Sequence, residues 1–227
     1  LVAQDCSRYG FDFDGKTHLV SLLRKLDEID GIHWIRMLYL YPDEMPDDLV
    51  ETVKNSRHIL PYFDIPTQSG SDRILKQMRR KTSRAQILER TARIRSEMPD
   101  AVLRTTLIAG FPSETEEDFE DTLSMIREVR WNHLGAFTFS KEEGTPAWDM
   151  DDDVCPEEKQ RRQDEIMAAQ ETIAEELLEK EIGEIREVLV ERMDPLTGMY
   201  VGRTSRMAPD NVDGVVRFHS DAEHQPG

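Results

Sequence analysis

The chain is poor in the residues that hold metals. It has two cysteines in 227 residues, Cys6 and Cys155. They form neither a C-x-x-C nor a C-x-x-x-C-x-x-C group, which excludes a metal-ligating cysteine set within this chain. Two lone thiols fit a reducing compartment, and a cytoplasmic location is expected. Cationic side chains are also scarce, with 29 Lys and Arg against 46 Asp and Glu and a net charge of -17. That balance argues against a broad phosphate-binding surface and suits a basic protein partner. No apolar run approaches the roughly 20 residues of a membrane span, so no membrane association is expected. No methionine opens the chain, which begins Leu-Val-Ala-Gln-Asp. It is therefore expected to start inside a longer protein.

What is present is a βα rhythm from Leu1 to about Trp148. Residues 1–3, 33–40, 62–65, 102–109 and 133–139 read as strands. Leu19, Leu22, Leu23, Leu26 and Ile29 recur at helical spacing, and Leu49, Val50 and Val53 mark a short helix after Pro46. Ser71 caps a helix carrying Ile74, Leu75 and Met78, and Ser83 opens the next. An acidic helix runs from Glu114 to Arg130 with Phe119, Leu123, Ile126 and Val129 inward. This alternation predicts an α/β fold with a parallel sheet and right-handed crossovers. Five strands are too few for a closed eight-fold barrel, leaving a barrel segment or an open doubly wound sheet. An acidic linker at 149–153 precedes a long helix from Pro156 to about Lys180, with a stripe of Ile166, Ile173, Leu177 and Leu178. Residues 186–192, 200–203 and 212–218 read as strands of a small all-β module. The domain reading is 1–153, a linking helix at 154–182, and 183–227.

Three strand ends are unusually polar: Gln4-Asp5, then Asp64 to Asp72, then Arg104 to Glu114. In a parallel sheet such ends gather on one rim, where ligands bind. Gly110 at the end of its strand permits close approach of a ligand to the backbone. Turn and cap chemistry alone explains Gln68, Ser69 and Ser71 taken singly; three polar ends in one sheet favour a cofactor site. Arg79-Arg80-Lys81 with Arg84 reads as a solvated helix end, with a phosphate contact as the lesser reading. His18, His33, His58 and His133 read as surface histidines, and Trp34, Trp131 and Trp148 as packing.

Several motifs together resemble one family. They are Gln-Ser-Gly-Ser-Asp-Arg-Ile-Leu at 68–75, Gly-Phe-Pro-Ser-Glu-Thr-Glu-Glu-Asp-Phe at 110–119, and Phe-Ser-x4-Gly-Thr-Pro-Ala at 139–147. These are similar to the radical S-adenosylmethionine (radical-SAM) methylthiotransferases. Gly-Arg-Thr at 202–204 and Ala-Pro-x-x-Val-Asp-Gly at 208–214 resemble the family's TRAM module, a small β-barrel. The resemblance implies a partial parallel (β/α) barrel, strands two to six, followed by an incomplete TRAM barrel. It implies SAM as cofactor and two [4Fe-4S] clusters in the full-length enzyme, with their ligands outside this chain. By the same resemblance Gln4 and Asp5 hold the SAM amino group, Gln68 and Ser69 lie by the ribose, Arg104 reaches the carboxylate, and Ile108 and Gly110 border the adenine. No catalytic residue and no metal ligand is assigned.

The details of 35–42 and 59–66 resemble the branch that adds a methylthio group to the β-carbon of an aspartate in a small-subunit ribosomal protein. A basic ribosomal protein or the ribosomal subunit is then the partner, with an external electron donor, and this fragment alone is expected to be inactive. The Gln-Ser-Gly-Ser stretch is more like the branch that modifies tRNA adenosine, which stands as the alternative. A non-catalytic RNA- or ribosome-binding module is a third reading. Charge favours the protein substrate: from Lys180 to Gly227 there are six Lys and Arg against nine Asp and Glu, whereas a barrel gripping RNA is expected to be basic.

Overall fold

The computed structural model describes residues 1–227, which divide into two compact units, Leu1–Glu179 and Lys180–Gly227. In the first unit, four parallel strands form one sheet in the order β1 (Ile35–Met37), β2 (Ile59–Asp64), β3 (Val102–Ala109) and β4 (His133–Thr138). The helices are α1 (Phe11–Asp14), α2 (Leu19–Asp27), α3 (Leu49–Lys54), α4 (Asp72–Gln77), α5 (Arg84–Glu97), α6 (Glu116–Val129) and α7 (Pro156–Glu179). The sheet has four strands rather than five. Leu1 makes a strand-like pair of bonds, donating its amino group to the Arg36 carbonyl at 2.6 Å and accepting from the Leu38 N–H at 3.1 Å. The pairing stops there, with Val2 and Ala3 exposed.

Helix starts follow side-chain chemistry. Ser71 accepts from the Ile74 N–H and caps α4. Ser83 with Gln86, and Thr115 with Asp118, form capping boxes on α5 and α6. Each box satisfies two backbone donors that the first helical turn leaves open. Glu116, Glu117 and Asp118 then complement the positive end of α6.

The sheet has two unlike faces. On β3, Leu103, Thr105, Leu107 and Ala109 are buried while Arg104, Thr106 and Ile108 are half-exposed. A period of two divides a strand between two surroundings. Leu103, Leu107 and Ala109 join a continuous core with Phe63 and Ala136 from the neighbouring strands and Leu23, Leu49, Ile87, Phe119, Ile126 and Ile166 from the helices. That core fixes the sheet and leaves the other face to the site.

The second unit holds an antiparallel sheet, β5 (Val188–Met193), β6 (Tyr200–Thr204) and β7 (Val216–Phe218), in that order. Gly202 is required there: an added Cβ would run into the Leu189 carbonyl. Tyr200, Phe218 and His224 pack their rings together.

Candidate functional site

The site is built at the carboxyl end of β3. Beyond β2 the chain passes Pro66 and returns to β3 at Gln68. The Gln68 N–H donates to the Thr106 carbonyl and its own carbonyl accepts from the Ile108 N–H, both at 2.9 Å. These bonds hold Gln68 in the left-handed region at φ 71°, a conformation that costs a non-glycine residue about 1–2 kcal/mol. The strained backbone presents a half-exposed amide side chain to a cleft of about 310 Å³.

The cleft has an apolar lining and a polar margin. Met78, Ile108, Phe111 and Ala147 supply the first. Met78, Ile108 and Ala147 pack on a small cluster of Ile74, Phe111 and Phe139, separate from the main core. Gln68, Gln77, Arg79, Arg80 and Thr145 supply the second. An apolar slot edged by a few polar groups suits a flat heterocycle carrying polar substituents.

Arg79 and Arg80, a solvated helix end by sequence, both line this cleft. The Arg80 guanidinium lies 4.2 Å over the Tyr41 ring, which fixes it there. The available signal was the shortness of α4: six residues, fewer than two turns, bring its carboxyl end back over the strand edge.

The other predicted residues divide by role. Ser69 is fully buried, and its hydroxyl accepts from the Ser71 N–H at 3.1 Å and lies 3.4 Å from the Thr122 hydroxyl. It therefore ties the loop to α6, and its side chain does not face the cleft. Gly70 completes this contact, since an added Cβ would meet the Thr122 Cα at 2.7 Å. Ser71 also donates to Asp118 at 2.6 Å, and the Arg73 guanidinium pairs with the same carboxylate.

Gly110 has φ 71°, and the space beside it is taken by the Lys159 side chain of α7, which a Cβ would strike. Its N–H donates to the Glu114 carboxylate at 2.8 Å. Glu114 in turn accepts from Arg162 at 2.8 Å, and both side chains are nearly inaccessible. Gly110 thus admits a helix side chain of the protein itself. Arg162 and Glu114 form a buried pair, and Lys159 beside Gly110 bonds Asp152 and the Phe139 carbonyl; no spacing in the sequence joins these residues.

Arg104 donates from Nη1 to Asp64 Oδ1 at 2.8 Å, while Asp64 Oδ2 accepts from the Tyr39 N–H at 3.0 Å. Asp64 is 1% exposed and Arg104 is half-buried on the open face of β3. Gln4 is exposed. Asp5 is half-buried, caps a short 3-10 turn at Cys6–Arg8, and accepts from the Ser7 N–H at 2.8 Å. Burial pushes the Asp5 carboxyl up, partly offset by its Ser7 bonds. A cationic group beside it would restore the charged form. Neither Gln4 nor Asp5 lines the cleft.

The cleft and its donors fit a nucleoside-like cofactor. An iron-sulfur cluster does not fit the residues present. Cys6 is buried, Cys155 is exposed, and no group of three or more His, Cys, Asp or Glu is placed to hold a metal.

Comparison with known proteins agrees with this geometry. The chain is 44% identical over 220 residues to the ribosomal protein uS12 methylthiotransferase RimO of Clostridioides difficile (strain 630), covering 97% of this chain and 49% of that one. It is 44% identical to the protein of the same name from Lachnoclostridium phytofermentans, covering 100% of this chain and 51% of that one. The corresponding Geobacter sulfurreducens protein is 45% identical, over 95% of this chain and 48% of its own. The chain spans about half the length of these relatives. No helix is long and apolar enough to cross a membrane. The family model described as the Radical SAM superfamily matches residues 9–126, more than half of the chain, and the parallel four-stranded sheet fits that match: this chain belongs to the Radical SAM superfamily, whose description implies SAM and an iron-sulfur cluster.

Proposed function

We propose that this chain carries the SAM-binding sheet and a following small β module of a methylthiotransferase, a transferase that acts on the β-carbon of an aspartate in a small-subunit ribosomal protein. The observation that carries the reading is the cleft on β3, lined by Gln68, Ile108 and Phe111, in a chain 44% identical from end to end to a relative named for uS12 methylthiotransfer. When bound, SAM is the source of the hydrogen-abstracting reagent and of the methyl group.

This chain's residues bind and orient. Ile108 and Phe111 hold the flat base, with Gly110 setting the turn beneath it, and Gln68 meets the ribose with Ser69 fixing its loop. Gln4 and Asp5 take the amino group, since a half-buried carboxylate is stabilised by an ammonium partner. Cations for the carboxylates that meet at this face are Arg79 and Arg80 on the cleft lining and Arg104 deeper on β3. The resting place for the cofactor's carbon is a low-dielectric slot that keeps water from the reaction. The two [4Fe-4S] clusters have their ligands outside this chain, and an external donor supplies electrons to them. The three-stranded unit at 180–227 belongs to a TRAM-like module, and its excess of acidic residues attracts a Lys- and Arg-rich protein and repels tRNA. The whole enzyme works in the cytoplasm, and this portion alone is inactive.

The test offers full-length enzyme, reconstituted anaerobically, both small ribosomal subunits and tRNA. A mass increase of one methylthio group on an aspartate of a ribosomal protein is expected. Methylthiolated adenosine in tRNA with unmodified ribosomal protein moves the chain to the tRNA-modifying reading.

A further inference from the structure

We infer that Arg104 recognises the side-chain carboxylate of the acceptor aspartate and that the cofactor's own carboxylate is met at the cleft by Arg79 and Arg80. The inference rests on the function proposed above and names the residue that selects its substrate.

Alternation along β3 puts Arg104, Thr106 and Ile108 on one face. Ile108 lines the cleft. Four residues at about 3.3 Å each place Arg104 ~13 Å further toward the amino end of the strand. A cofactor seated on Ile108 and Phe111 has two guanidiniums, Arg79 and Arg80, on the lining of the same cleft. Arg80 is held there by the Tyr41 ring. The nearer cations suffice for its carboxylate, so the deeper one is left to a second ligand.

That ligand would lie between Ile108 and Arg104, over Thr106. Thr106 is in register with Gly135 of β4, and Arg104 with His133. A Cβ added at Gly135 would meet only the Phe137 ring, at 3.8 Å. Gly135 therefore leaves open space beside Thr106 on the face of the sheet that also carries Arg104.

The guanidinium there is oriented in advance. Asp64 is its neighbour across β2 and β3, is 1% exposed, and is itself fixed by the Tyr39 N–H. Asp64 is thus a positioning residue for Arg104. A guanidinium fork matches a carboxylate in a plane. In aspartate the carboxylate is bonded directly to the β-carbon, so gripping it also sets the direction of the C–H bond to be broken. Asparagine and a nucleobase offer no anion at that place.

The experiment uses full-length enzyme, wild type and the variants R104Q and R104K. Substrates are the small-subunit ribosomal protein and its target Asp→Asn variant, and SAM affinity is measured by calorimetry. R104Q is expected to raise KM for the native protein about tenfold to a hundredfold, the worth of charge-assisted bonds, with Kd for SAM unchanged. Wild type is expected to reject the Asn substrate, and R104Q to discriminate much less. R104K, which keeps the charge and loses the fork, should fall between, and it serves where R104Q does not fold. Weakened SAM binding with KM for the protein unchanged assigns Arg104 to the cofactor and overturns the inference. Wild-type enzyme without activity on the native ribosomal protein overturns the proposed function, and the inference with it; an active wild type with an unaffected R104Q overturns the inference alone.

Discussion

The two faces of β3 carry opposite kinds of residue along Leu103–Ala109. Leu103 and Leu107 are wholly inaccessible among helix side chains. Arg104, Thr106 and Ile108, between and beside them, remain half-exposed and include an ion pair and a cleft wall. Both faces lie on one strand, so the division follows from side-chain alternation alone. From Leu103 onward this strand anchors the fold with its odd-numbered residues and presents chemistry with its even-numbered ones, while Val102 at its start is buried. Substitutions should therefore separate cleanly: one set costs stability, the other costs binding.

The largest effect is expected where α7 closes the covered side. Arg162→Ala leaves Glu114 buried without its partner, and breaking a buried pair costs about 3–5 kcal/mol. Urea unfolding followed by circular dichroism measures it, and a loss near that of a surface ion pair would break the contrast. Leu107→Ala is expected to cost about 2–5 kcal/mol by opening a cavity in the core, with SAM affinity per folded molecule unchanged. Asp118 sharpens the comparison at the helix start. Burial works to raise its carboxyl, but Arg73, Ser71 and Thr115 more than offset this and hold it well below the usual range. A depressed carboxyl contributes stability above its ordinary value of 3.8 and loses it as pH falls below that. Asp118→Asn is expected to flatten this acid limb and to cost about 1–3 kcal/mol at neutral pH. An acid-unfolding curve identical to wild type would contradict the assignment.

The sequence carried the elements that depend on local chemistry. Ser71, Ser83 and the apolar periods of α6 and α7 were readable because caps and amphipathic stripes are local signals. Gln68 and Ile108 were readable as rim residues because strand order places them there. What was hidden depends on distant contacts. Gly110 reads as a glycine of close approach, and on the side a Cβ would take it admits Lys159, forty-nine residues further along. The Ser69 hydroxyl was expected at the rim and is spent on α6. The Glu114 and Arg162 pair spans forty-eight residues, and no spacing rule joins them. Residues 1–3 read as a strand by composition, but only Leu1 finds ladder partners.

The smallest expected change in stability accompanies the most telling change in binding. Ile108 is half-exposed, so Ile108→Ala should cost less than about 1.5 kcal/mol in folding. Calorimetric titration of SAM into full-length enzyme carrying Ile108→Ala, beside wild type and Leu107→Ala, tests the claim that the open face of β3 holds the cofactor. The account predicts about tenfold weaker SAM binding for Ile108→Ala, ~1.4 kcal/mol, and unchanged affinity for folded Leu107→Ala. Unchanged affinity for Ile108→Ala, or an equal loss in both variants, would contradict it.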